Sequence, residues 1–103
     1  MAFVVTALWT AKRGEEENVA RILAELVGPS RDEPGSLFYQ PHRDPEDPRR
    51  FFFYEQYTDR AAYEAHGSSE HFQKLGFGQA IPLLESRERW FYETWEPDGS
   101  QAG

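Results

Sequence analysis

Three histidines are the side chains of this sequence best suited to take a proton near neutral pH, and with no cysteine present there is no thiol nucleophile, thiolate ligand or disulfide. His66 stands out because it closes a short helical run, RAAYEAH, just before Gly67. It reads either as a base facing a cavity or as a C-terminal cap, whose charge would favour the last carbonyls of the helix. Glu55 and Tyr57 lie two apart in the strand-like run RFFFYEQY, so they project from one face together with Phe51 and Phe53. A carboxylate on such an aromatic face must be paired, hydrogen-bonded or functional, because burying an unpaired charge is costly. Glu55 would therefore either orient His66 or pair with Arg21, Arg87 or Arg89. His71 follows His66 by five residues, a turn of ~140° around a continuous helix, which directs it away from His66 toward solvent or a cavity mouth. His42 sits beside a polar turn and reads as structural.

The histidines show no HxxxH or HExxH spacing, so no metal site is expected, and no GxGxxG or GxxxxGKS/T run marks a nucleotide site. RDPEDPRR reads as a solvated turn. The aromatic residues expected to wall a cavity are Tyr39, Phe53, Tyr63, Phe72 and Trp90.

The elements that must position these groups follow from periodicity. Ala2 to Thr10 is rich in Val, Thr, Phe and Trp without a breaker, and predicts a strand ending before Gly14. Glu15 to Glu17 begin a helix whose apolar stripe is Val19, Ile22, Leu23, Leu26 and Val27, weakened at Gly28-Pro29. Glu33-Pro34-Gly35 must turn the chain. Ser36 to His42 and Arg50 to Tyr57 predict an antiparallel hairpin with a proline-stiffened tip. Thr58 or Asp59 can cap one short helix and Ser68 or Ser69 the next, with Gly67 between them. A bend or break is expected near Ile81, and Arg87 to Trp95 predicts the last strand. The order β-α-β-β-α-β is an α+β, ferredoxin-like arrangement with a four-stranded antiparallel sheet. One domain over residues 1–96 and a polar tail over 97–103 account for the chain.

The sequence carries 11 basic and 18 acidic residues, a formal charge of −7 that would repel phosphate backbones and anionic membranes. Nucleic acid and membrane partners are not expected. The N-terminus has no basic stretch ahead of its apolar segment, which predicts a cytoplasmic protein. Aromatic residues make up 16% of the chain, and they fall on both faces of the predicted strands: Phe3, Val5 and Trp9 oppose Val4 and Leu8, and Phe51 and Phe53 oppose Phe52 and Tyr54. One helical layer covers one face. A second copy of the sheet is the economical cover for the other, so a homodimer is expected.

Strand one followed by Lys12-Arg13-Gly14-Glu15, the Glu33-Pro34-Gly35 turn before LFYQPHRDPEDPRRF, and Glu55-x-Tyr57 followed by His66 and Ser69-x-x-Phe72 resemble the antibiotic biosynthesis monooxygenase superfamily. The resemblance runs from about Phe3 to Trp95. It implies a dimeric α+β barrel with one pocket per subunit, and among its branches it is most similar to the quinol monooxygenases. That branch implies oxidation of a small aromatic quinol or phenol by O₂ without a cofactor, with His66 as base, Glu55 orienting it and Tyr57 polarising the substrate. A non-catalytic barrel that binds a small hydrophobic ligand, or an isomerase using the same pocket, are the other activities the resemblance implies. The heme-degrading branch carries an Asn on strand one, a Trp at the end of the short helix and a His on the next. Those positions here are TALW, His66 and about Gly76, so that chemistry is not implied.

Overall fold

The computed structural model describes residues 1–99, and residues 100–103 of the expected tail lie outside the described residues. Strand β1 (Phe3–Ala11) is central, and the sheet order is β2-β3-β1-β4, all antiparallel, with β2 at Ser36–Arg43, β3 at Arg50–Tyr57 and β4 at Leu84–Glu93. This is the ferredoxin-like arrangement expected from the order of elements. Helix α1 (Glu16–Arg31) buries Val19, Ile22, Leu23 and Leu26 against one face of the sheet, where Trp9, Phe51, Phe53 and Tyr39 meet them in the main core.

Two local features differ from the sequence reading. Helix α1 runs through Gly28-Pro29 to Arg31, because the last turn is closed by the Asp32 N–H donating to the Gly28 carbonyl at 3.1 Å and by the buried Ser30. Gly67 lies inside helix α2 (Arg60–Ser68) and does not separate two helices. The break falls at Ser69, whose backbone is extended at φ −63° and ψ 153°, and whose Oγ donates to the His66 carbonyl at 2.6 Å and accepts from the Phe72 N–H at 3.2 Å. At the other end of α2, the Asp59 carboxylate caps the Ala62 N–H at 2.8 Å.

Beyond Ser69, Phe72–Ala80 is a π-helix, followed by a 3-10 turn at Ile81–Leu83 that contains Pro82. The expected break near Ile81 is this change of helix type. Strand β4 then begins earlier than the sequence suggests and ends before the exposed Trp95.

The two faces of the sheet are treated differently. The helices cover Val5, Ala7, Trp9, Phe51 and Phe53, while Phe38, Phe52, Trp90 and Tyr92 on the other face stay between 38% and 55% exposed. Among the described residues no helix is long and apolar enough to cross a membrane.

Candidate active site

Alternation along the strands aims every second side chain at the helical layer. Between that face and the segment from α2 to the π-helix lies a small cavity of about 60 Å³ with an open mouth. Tyr39, Phe53, Glu55, Tyr63, His66 and Phe72, six of the residues singled out in the sequence, line it together. Val5, Ala7 and Trp9 of β1 form its floor, and Phe77, Arg87 and Arg89 complete the wall.

His66 is 3% exposed, in the last turn of α2, with its ring 4.9 Å from Phe72, 5.5 Å from Tyr39 and 5.7 Å from Tyr57 between centroids. Its Nδ1 lies 2.7 Å from Glu33 Oε2. A carboxylate oxygen accepts, so a His66 ring carrying one proton donates from Nδ1 and keeps Nε2 as its basic nitrogen, which has no hydrogen-bond partner among the described residues. Glu33 was not anticipated: it opens the Glu33-Pro34-Gly35 turn, which the sequence reading treated only as a turn. That turn is pressed onto α2. A Cβ built on Gly35 would stand 2.4 Å from the Ala62 Cβ, so only glycine permits the approach that brings the Glu33 carboxylate to His66.

Glu55 does not orient His66. Its Oε1 accepts from the Tyr57 hydroxyl at 2.5 Å, and neither Arg21, Arg87 nor Arg89 forms an ion pair with it among the described residues. Burial pushes the Glu55 carboxyl above the usual carboxylate range, against the opposing pull of the Tyr57 hydrogen bond and the His66 ring. Tyr57 is fully buried behind the cavity wall and donates to Glu55, so its hydroxyl has no access to a bound molecule. Burial also raises the Tyr57 and Tyr39 hydroxyls, which keeps both protonated.

Trp90 falls outside the cavity altogether. It follows Arg89 on β4 and so points to the uncovered face of the sheet, where it shares a shallow groove with Leu8, His42 and Phe52. His71 departs from expectation in the opposite sense. The break at Ser69 ends the continuous rotation assumed from sequence, and His71 Nε2 comes back to 2.5 Å from the same Glu33 oxygen that holds His66.

Arg87 and Arg89 are the cavity residues whose role the sequence reading missed. They sit two apart on β4 and face inward. The Arg87 guanidinium packs over the rings of Trp9 and Phe77 at 5.7 and 5.4 Å, and its Nε is buried without a hydrogen-bond partner among the described residues. Burial, and then the charge of Arg89, lower its affinity for its proton. Arg89 donates to the Tyr63 hydroxyl at 2.7 Å. A basic nitrogen, a buried carboxyl and two guanidinium groups thus surround an aromatic space, an arrangement able to deprotonate an acidic hydroxyl and hold the anion.

Among solved structures, this chain is similar to PA3566 from Pseudomonas aeruginosa at 35% identity and a TM-score of 0.85, covering 92% of this chain and 95% of that one. It is similar to SO0527 from Shewanella oneidensis at 32% identity and a TM-score of 0.81, with 88% of each chain covered. An antibiotic biosynthesis monooxygenase structure aligns at 28% identity and a TM-score of 0.85 over 91% of this chain and 99% of its own. No curated protein matches the chain. The family model described as antibiotic biosynthesis monooxygenase matches residues 2–76, which carry β1 through α2 and with them Glu33, Glu55 and His66. The chain belongs to the antibiotic biosynthesis monooxygenase family.

Proposed function

We propose that this protein is a cofactor-independent monooxygenase that converts a small aromatic quinol or phenol to a quinone with O₂. The observation that carries the reading is the buried His66 at the wall of an aromatic cavity, its Nδ1 paired with the part-buried Glu33 and its Nε2 without a hydrogen-bond partner among the described residues. His66 Nε2 takes the substrate hydroxyl proton. The electron-rich anion passes one electron to O₂, and recombination forms the new C–O bond. Cleavage of the O–O bond then gives the quinone, with one water leaving, so that a phenol plus O₂ balances to a quinone plus H₂O. Arg87 and Arg89 supply positive charge to the phenolate and to the reduced oxygen, and Glu33 holds the His66 tautomer. Glu55, whose affinity for its proton is raised by burial, forms part of the polar wall. Two chains pair through the sheet face that carries Phe38, Phe52, Trp90 and Tyr92.

The test is O₂ uptake by chelator-treated protein over dihydroxynaphthalenes, hydroquinones and anthrones, beside the His66→Ala variant. Saturable uptake with quinone formation, falling at least ~100-fold in the variant, is expected for loss of a general base. Uptake no greater than autoxidation across the whole panel would overturn the oxygenase reading.

A further inference from the structure

Glu33, His66 and His71 come from three separate places in the chain, yet their ligating atoms converge within 4.8 Å of one another. Nδ1 of His66 and Nε2 of His71 lie 2.7 and 2.5 Å from the same oxygen, Glu33 Oε2. The other carboxylate oxygen, Oε1, is buried without a hydrogen-bond partner among the described residues. His66 is the buried end of the cluster, while the His71 side chain is 20% exposed and gives the group access to solvent.

We propose that these three residues form a binding site for one divalent ion of the zinc class. Two imidazoles and a carboxylate are the donor set that borderline first-row ions take up, whereas calcium and magnesium require mostly oxygen ligands. A central ion needs each donor at about 2.0–2.2 Å, so the rings must draw back from the carboxylate by less than about 1 Å to admit it. The unpartnered Oε1 supplies a second carboxylate contact, and water reaching past His71 completes the shell. No net loss of protons is required of neutral rings: each imidazole moves its proton to its other nitrogen as the metal takes the first.

Binding rests on the donor geometry alone and is independent of the oxygenase reading. Its consequence for turnover does rest on that reading: an ion on Nδ1 leaves the proton of His66 on Nε2, and the base is lost. The metal-loaded protein is then the inactive form.

Chelator-stripped protein is titrated with Zn²⁺ by calorimetry and with Co²⁺ by visible absorption. One ion per chain is expected, with Co²⁺ ligand-field bands, and affinity falling at least ~10-fold in both His71→Ala and Glu33→Gln. His42→Ala, which removes an exposed histidine elsewhere, is expected to leave affinity unchanged, and far-UV circular dichroism confirms that each variant is folded. No saturable Zn²⁺ binding, binding that survives both folded cluster variants, or binding lost with His42→Ala would overturn the site. Zn²⁺ binding in a protein that never consumes O₂ would leave the site standing and sink only the oxygenase.

Discussion

At the residue scale the site is two carboxylates in different company. Glu33 faces two imidazoles, and Glu55 faces a phenol and a buried wall. Glu33→Gln keeps the size of the side chain and removes its charge, so the His66 tautomer is no longer fixed. O₂ uptake is expected to fall about 10- to 100-fold in kcat with KM little changed, the split expected when a group acts through the base. Glu55 is expected to show itself through stability. An unfolded glutamate releases its proton near pH 4.3, roughly, while burial keeps the folded one protonated to higher pH. Through that window the folded chain binds more protons than the unfolded chain, so Glu55 makes stability fall as pH rises. Urea unfolding of Glu55→Gln beside the wild type should show the variant gaining relative stability from pH 4 to pH 8; parallel pH curves would count against this. Strand alternation alone identified Glu55 as a carboxylate on an aromatic face, while His66 stayed open between a cavity base and a helix cap, and the family resemblance was what pointed to the cavity. It could not name Glu33, since a glutamate in a turn looks solvated until the turn is seen pressed onto a helix.

Elements explain that blind spot. Strand periodicity is local and was readable: the hairpin, the central β1 and the stripe of α1 all follow from residue order. What Gly35 does depends on α2, twenty-five residues later. Gly35→Ala brings a methyl group to 2.4 Å from the Ala62 Cβ, and is expected to cost about 1–3 kcal/mol in urea unfolding and to separate Glu33 from His66. Ala62→Gly in the same chain should recover much of both stability and activity, a coupling that independent sites would not show. Both ends of α2 were visible in sequence: Asp59 was named as a cap and fills that role, and Ser69, named with Ser68 as a cap of the next helix, accepts from the Phe72 N–H, while its second bond, to the His66 carbonyl, is the part that sequence does not announce.

For the whole molecule, the question is what covers the second face of the sheet. Trp90, expected in the cavity, belongs instead to the apolar set with Phe52 and Leu8. Trp90→Glu is expected to shift sedimentation from dimer to monomer while leaving the His66 cavity intact, because the two lie on opposite sides of one sheet; a wild-type chain that sediments as a monomer would refute the pairing. The cavity's own shape depends on the helix type over Phe72–Ala80. Phe72 and Phe77 stand five apart, which an α-helix would spread by ~140°, yet their rings pack edge-on at 5.2 Å because the wider π turn stacks them. That places the phase of the wall under the control of chain length. Tightening to 3.6 residues per turn at the present length would spread the two rings by ~140° and swing the second away from Arg87, whereas loss of one residue between them would leave them four apart, at ~40° on an α-helix, and still on one face. A relative one residue shorter here would keep this wall by returning to an ordinary α-helix, so among such proteins the extra residue and the π turn are expected to appear and disappear together.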